Sequence, residues 1–192
     1  MVEVEFHDVF VRLISNGGAP VRLSEPSRPT LAVPLRAAVL KERGGERALA
    51  IWMGNDDALA LVTHKAGLRS SRPLPSEVML GLLEATGARV EQVAISEYRE
   101  NVFFSSVSVR AGDRRSNVDA RPSDALNLAV RVGAPILVDQ QVMVDHAVPI
   151  GELSDRLEDL ERNARGQTLE QGEWRSLSPD LIRTLEQQTG AE

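Results

Sequence analysis

The sequence predicts an α+β fold: a single domain of mixed or antiparallel sheet with β-hairpins and three packed helices, plus a helical C-terminal tail. Short alternating segments joined by tight turns are typical of hairpins. Three segments with helix start and stop signals interrupt them. The chain has 192 residues and 42% apolar residues, which is enough for one packed domain with an appendage.

The predicted strands come mainly in pairs. The first strand covers residues 3–14, where a slip in the apolar alternation at His7 and Asp8 indicates a bulge. Two hairpins follow, over residues 35–42 with 47–53 and over residues 89–98 with 102–110. Shorter strands are expected at residues 117–121, 135–138 and 141–144.

Three helices of the domain are expected near residues 56–65, 76–86 and 123–132. Pro122 suits the first turn of the third helix, because proline has no N–H to lose there. Gly133 suits the position just past its end, where the backbone turns left-handed.

The character of the chain changes near residue 150. Residues 151–192 hold 10 acidic and 5 basic residues, with a charged amphipathic helix expected over residues 152–163 and a last helix starting at Ser178. We therefore expect a domain over residues 1–148 and an acidic helical appendage over residues 149–192. The appendage would pack on the domain or on a partner, and residues 1–150 should fold without it.

The composition excludes several classes of function. The chain has no cysteine, so disulfides, thiolate metal sites and cysteine nucleophiles are excluded. No apolar run approaches the roughly twenty residues that span a bilayer, and no secretory signal is visible, so a cytoplasmic protein with no membrane contact is expected. The net charge is −6, and no basic stripe is present. Any contact with nucleic acid should therefore be transient.

The densest motif lies at residues 118–131, which read Val-Asp-Ala-Arg-Pro-Ser-Asp-Ala-Leu-Asn-Leu-Ala-Val-Arg. This stretch resembles the signature of the bacterial bifunctional nuclease family. The resemblance implies cleavage of both RNA and DNA. It also implies a homo-oligomer, and a dimer is the simplest one because closed two-fold dimers are the commonest assembly.

Other segments extend the resemblance to about residues 1–148, with an apparent insertion near residues 20–35. Phe103 and Phe104 stand where the family has a Phe-Tyr pair. Residues 50–54 resemble the strand and glycine that precede the family's first helix.

One stretch departs from the family pattern. The family usually has Arg-Pro-Leu-Thr-His-Asp-Leu at the start of its second helix, whereas residues 72–78 read Arg-Pro-Leu-Pro-Ser-Glu-Val. Ser76 replaces the histidine and Glu77 replaces the aspartate. A second hypothesis therefore stays open: a weakly active or inactive member that binds a protein or a small anionic ligand.

The motif predicts a polar site beside a buried helix. Asp119 and Arg121 share one face of the predicted strand, because side chains alternate along it. The helix that follows is apolar almost all round, which is typical of a buried helix. Its polar exceptions Asp124, Asn127 and Arg131 form one stripe.

The functional interpretation gives the chemistry to carboxylates. Asp119 and Asp124 would bind a divalent cation, Mg²⁺ or Mn²⁺, that activates water and neutralises phosphate charge, with Glu77 as a third catalytic carboxylate. The predicted substrate-binding residues are Arg72, Arg121, Ser123, Asn127 and Arg131. The structural alternative is that Asp124 stabilises the N-terminus of its helix and that Arg121 pairs with Asp119 or Asp124.

No other catalytic arrangement is predicted. His7, His64 and His146 are scattered and pair with no carboxylate at ligand spacing, so they receive no chemical role. The sequence has no phosphate-binding loop, zincin motif or nucleophile elbow.

Overall fold

The structure is a computed structural model that describes residues 1–14, 36–68, 70–165 and 172–176. The strands are β1 (Val2–Ile14), β2 (Arg36–Glu42), β3 (Arg47–Met53), β4 (Ala88–Arg99), β5 (Val102–Ala111), β6 (Arg114–Ala120), β7 (Ile136–Val138), β8 (Val148–Pro149) and β9 (Gly172–Ser176). The helices are α1 (Asn55–Lys65), α2 (Pro75–Ala85), α3 (Pro122–Val132), α4 (Gln140–His146) and α5 (Leu153–Arg165), which follows a 3-10 turn at Ile150–Glu152.

The strands form one mixed sheet, which confirms the predicted α+β class. Its order is β6-β5-β4-β7-β1-β2-β3-β8, and β9 pairs with β1 beside this path. The β4–β7 pair is parallel, and the other pairs are antiparallel. Both predicted hairpins are confirmed as β2–β3 and β4–β5. The register of β1 shifts between Phe6 and Asp8, as the alternation predicts.

Two predictions for short segments are wrong. Residues 141–144 are not a strand but the centre of α4, because the Asp139 side chain accepts a hydrogen bond from the Gln141 N–H at 2.8 Å and starts a helix there. Strand β6 ends at Ala120, so Arg121 is the N-cap of α3 rather than a strand residue. The apparent insertion and the helix predicted from Ser178 lie outside the described residues.

Helix α3 lies at the centre of the main core. Its residues Ala125, Leu126 and Ala129 are fully buried, and the helix packs on α1, α2, β4 and β5. Pro122 opens the helix, and Gly133 ends it with φ of 66°, as predicted from the sequence. No helix in the described part of the chain is long and apolar enough to cross a membrane.

The β2–β3 hairpin is buried on both faces. One face joins the main core beneath α1 and α3. The other face packs against α5, which buries Leu153 and Leu157 there. Burial on two sides explains why both strands are almost continuously apolar in sequence. The appendage therefore covers part of the domain, while its independence in folding remains a prediction.

Replacing Leu157 by alanine tests whether α5 unfolds together with the domain. The side chain is fully buried, so the variant should lose about 2–5 kcal/mol of unfolding free energy, as large-to-small core substitutions do. Urea unfolding followed by circular dichroism measures this loss.

The matched control is Leu59→Ala, since Leu59 is also helical but 46% exposed. Its change should stay within about 0.5 kcal/mol. Equally small changes in both variants would show that α5 adds no stability, as expected for a dispensable appendage.

Candidate functional site

Helices α1 and α3 lie side by side and run in the same direction. Asn127, in the second turn of α3, donates its amide N–H to the Asp57 carbonyl oxygen in the first turn of α1 at 3.0 Å. Further along both helices, Arg131 of α3 donates to the Ala60 carbonyl oxygen of α1 at 3.4 Å. The two N-termini therefore lie at the same end, each directly after a strand. Their unpaired N–H groups make this end partly positive.

One arginine joins the two helix starts. The Arg121 Nε and Nη2 atoms donate to the two carboxylate oxygens of Asp124 at 2.8 and 2.9 Å. The Asp57 carboxylate lies 3.8 Å from Nη2. The Arg121 side chain is 69% exposed, whereas those of Asp57 and Asp124 are 28% and 31% exposed. We call these three residues the Arg121 cluster.

The electrostatics of the Arg121 cluster keep the Arg121 guanidinium charged. The hydrogen bonds from Arg121 to Asp124 raise the pKa of the guanidinium above its usual value, with smaller contributions from the charges of Asp124 and Asp57. Both acids occupy the third position of their helices, where a carboxylate also interacts favourably with the helix dipole. The predicted structural pairing of Arg121 with Asp124 is therefore present.

Asp119 lies on the other face of the sheet. In the β5–β6 ladder it is opposite Ser106, and these positions share a face because directly paired residues point the same way. Val107, the next residue of β5, points to the opposite face and is buried in the core with Leu126 of α3. Asp119 therefore projects away from the face on which α3 packs. The structure does not bring it together with Asp124.

Arg131 is buried between three helices. Its side chain is 8% exposed. Nε donates to the Ser76 hydroxyl at 2.8 Å, and Nη1 donates to Glu77 Oε1 at 3.4 Å. Nη1 also lies 3.3 Å from Nδ1 of His64. With its N–H groups used in this way, Arg131 connects α1, α2 and α3 rather than facing a substrate.

Glu77 acts at the start of its own helix. Its Oε2 accepts a hydrogen bond from the Leu74 N–H at 2.6 Å, in the manner of a capping box. Its other carboxylate oxygen, Oε1, contacts Arg131. Arg131 lies in the second half of α3, about 10 Å along the helix axis from Asp124. Glu77 is therefore not part of the Arg121 cluster.

The other predicted substrate-binding residues differ in exposure. Ser123 and Asn127 are buried in the first turns of α3, and Asn127 holds α1 in place. Arg72 is exposed before α2. Of the five residues, Arg72 and Arg121 present a guanidinium to solvent.

Only some of these carboxylates lie close enough together to bind one divalent cation. The described residues contain no group of three acidic or histidine side chains that could hold a metal ion. The sheet separates Asp119 from Asp124, and Glu77 is engaged elsewhere. Asp57 and Asp124, by contrast, converge on one cationic group, the Arg121 guanidinium. Two carboxylates suit Mg²⁺, which usually takes one or two from the protein and completes its shell with water and phosphate.

Sequence reasoning missed Asp57, and it did not predict the contact between His64 and Arg131. The signal for Asp57 is positional, because it follows Gly54 at the same spacing at which Asp124 follows Arg121. Nothing local in the sequence distinguishes His64, which reaches Arg131 across 67 residues.

Comparison with known proteins assigns the chain to one family. A family model described as the bifunctional nuclease domain matches residues 38–151, more than half of the chain. The chain therefore belongs to the bifunctional nuclease domain family, and the resemblance seen in the motif at residues 118–131 is confirmed.

Similar proteins come from bacteria and plants. An uncharacterized protein of Mycobacterium tuberculosis is 32% identical over 136 residues, which is 70% of this chain and 77% of that protein. Bifunctional nuclease 1 of Oryza sativa subsp. japonica is 26% identical over 144 residues, covering 73% of this chain and 42% of the rice protein. Bifunctional nuclease 2 of Arabidopsis thaliana is 30% identical over 111 residues, covering 56% of this chain and 34% of that protein.

Replacing Arg131 by methionine tests its structural role. The change leaves the Ser76 hydroxyl and the Glu77 carboxylate without their partner, so about 1–3 kcal/mol of unfolding free energy should be lost. The matched control is the exposed Arg72→Met, which should change stability by no more than about 0.5 kcal/mol. Urea unfolding measures the free energy of unfolding of both variants. Equal stabilities would contradict the role of Arg131 between the helices.

Proposed function

We propose that this domain binds the phosphate backbone of RNA or DNA at the Arg121 cluster and hydrolyses its phosphodiester bonds. Membership of the bifunctional nuclease family supports the reaction class. The observation that carries the choice of site is the exposed guanidinium of Arg121, held by Asp124 at the joint N-termini of α1 and α3. The same residues would bind both nucleic acids, since the backbone phosphate is common to them.

The Arg121 cluster offers a phosphate two kinds of contact. A guanidinium binds phosphate through paired N–H groups, just as it binds the Asp124 carboxylate here. The helix starts add partly positive N–H groups of the kind that bind anions in other proteins. A phosphate that takes over Arg121 releases the carboxylate of Asp124. The released carboxylate would then be available as a ligand for a divalent cation.

A requirement for Mg²⁺ or Mn²⁺ is part of the proposal. Asp57 and Asp124 are the residues that would hold the ion. When bound, such an ion polarises phosphate oxygens and lowers the pKa of its water. The sequence-based assignment of the ion to Asp119 and Asp124, with Glu77 as a third carboxylate, is the competing assignment, and the two differ in which variants lose activity.

A binding module with little or no catalysis is the second candidate. It is favoured by one observation: Ser76 and Glu77, which stand where the family has histidine and aspartate, both contact the buried Arg131. At these positions the chain uses polar groups for helix packing. In this alternative the same Arg121 surface binds an anionic ligand or a protein without cleaving anything.

Conservative variants of the Arg121 cluster test the proposed function. Asp57→Asn, Asp124→Asn and Arg121→Gln should each lower turnover by orders of magnitude, because each removes one charge from the site while leaving a polar side chain in its place. Asp119→Asn should change turnover by less than about threefold, since its carboxylate projects from the other face. Cleavage of fluorescent single-stranded RNA and DNA, with Mg²⁺, Mn²⁺ or a chelator, gives the rates.

Urea unfolding of the four variants separates lost chemistry from lost stability. Activity that falls with Asp119→Asn as far as with Asp124→Asn would favour the carboxylate set expected from the sequence. Wild-type protein that cleaves neither nucleic acid with either metal would leave the binding module as the function.

We also propose that the protein is a homodimer. The support lies in α2, where Val78 and Leu82 are 49% and 64% exposed. These residues are four positions apart, so they form one apolar patch on the helix surface. A two-fold axis beside this patch would bury it against its own copy.

Light scattering tests the dimer. The wild type should have the mass of a dimer at concentrations of tens of micromolar, and Leu82→Glu should shift it to the monomer by burying a charge at the interface. The matched control is Val144→Glu on α4, at a valine that is 59% exposed and outside the patch. A monomeric wild type, or a dimer that survives Leu82→Glu, would contradict this interface.

A further inference from the structure

A pocket opens directly beside the Arg121 cluster. It has a volume of about 260 Å³ and lies where β3, the β4–β5 turn, the start of α3, the end of α4 and α5 meet. Pro122, the residue after Arg121, lines it. The side chains that decide its chemistry are Trp52, Tyr98, Asn101, Phe103, His146 and Arg156.

One wall of the pocket is aromatic. The rings of Tyr98 and Phe103 have centroids 4.7 Å apart, and the His146 ring lies 4.1 Å from that of Tyr98. Burial lowers the pKa of His146 below its ordinary value, and the charge of Arg156 acts in the same direction against that of Asp145. The His146 ring is therefore neutral near pH 7. All three side chains are half-buried, so part of each ring faces the pocket.

Two polar groups face this aromatic wall. The half-buried side chain of Arg156 lines the pocket and carries a guanidinium, which is a hydrogen-bond donor. Asn101 accepts a hydrogen bond from the Tyr98 hydroxyl at 3.3 Å through Oδ1, which leaves its amide N–H groups available. Asn101 is held in the tight β4–β5 turn with φ of 64°, a conformation that asparagine tolerates better than most residues.

The size and chemistry of the pocket suit a single planar ring with polar edges. Its volume is just below the usual range for drug-sized ligands, so it takes a small group rather than a large one. Nucleobases pulled out of a stack bind on aromatic side chains and arginine planes, and their edges take hydrogen bonds. A base inside a duplex cannot enter such a pocket without being unpaired.

We propose that this pocket binds one unstacked base of a single-stranded nucleic acid whose adjacent phosphate lies at Arg121. The inference rests on the proposed function for the phosphate, but the pocket has its own residues. Tyr98, Phe103 and His146 supply the surface on which the base stacks. Arg156 supplies a hydrogen-bond donor, and it lies beyond the family match, which ends at residue 151. The appendage therefore completes a site that the family domain alone leaves open.

Binding to matched oligonucleotides in chelator, so that nothing is cleaved, tests the pocket. A short fluorescent single strand should bind on the order of tenfold tighter than an abasic strand of the same length, because loss of one stacked base costs about that much affinity. Tyr98→Leu and Arg156→Gln should each remove the difference and leave the abasic affinity unchanged. Arg43→Gln, in the distant β2–β3 turn, is the matched arginine control. This variant should keep the difference in affinity between the base-bearing and the abasic strand.

A second measurement needs no variant. The indole N–H resonance of Trp52 should shift when a nucleoside monophosphate is added to the wild-type protein and should not shift with ribose phosphate. Equal affinity for the base-bearing and abasic strands, or an unchanged Trp52 signal, would overturn the pocket while leaving phosphate binding intact. Base-dependent binding by a protein that cleaves nothing would overturn the nuclease function and support the pocket.

Discussion

The Arg121 cluster depends on the parallel packing of α1 and α3 on one sheet. Each helix starts directly after a strand, with an extended residue as its N-cap. Because the buried helix α3 cannot rotate without exposing its apolar surface, the positions of its first-turn side chains are fixed. The hydrogen bond from the Asn127 amide to the Asp57 carbonyl oxygen fixes the position of α1 along α3. Arg121 and Asp57 meet as a consequence of this packing.

Helices α1, α2 and α3 each carry an acid at their third position, and the acids have different surroundings. Glu77 caps its own helix and accepts from the buried Arg131. Asp57 and Asp124 lie beside one exposed arginine. A first-turn acid alone is therefore poor evidence for catalysis, because every such acid stabilises its helix to some degree. What distinguishes the acids is the arginine that each contacts. Asp57 and Glu77 meet an arginine from α3, whereas Asp124 meets the N-cap arginine of its own helix.

Local patterns predicted most of the fold and only part of the site. The hairpins, the three helices and the bulge in β1 follow from alternation, caps and turns, which act between residues close in sequence. Residues 141–144 form a helix rather than the predicted strand, because four residues show no clear period and the Asp139 cap outweighs their apolar character. The link between Asp124 and Arg121 spans three residues, and the sequence predicts it as the structural alternative. Asp57 comes from 64 residues earlier in the chain, and its matching position at a helix start does not by itself indicate that it meets Arg121.

The appendage shows how a family fold can acquire a property of its own. Helix α5 packs Leu153 and Leu157 on the second face of the β2–β3 hairpin, which would otherwise expose the apolar surface of Ala37 and Val39. The same anchoring brings Arg156, one turn from Leu153, to the pocket beside Pro122. Burial of the leucines thus places a charged side chain at the pocket.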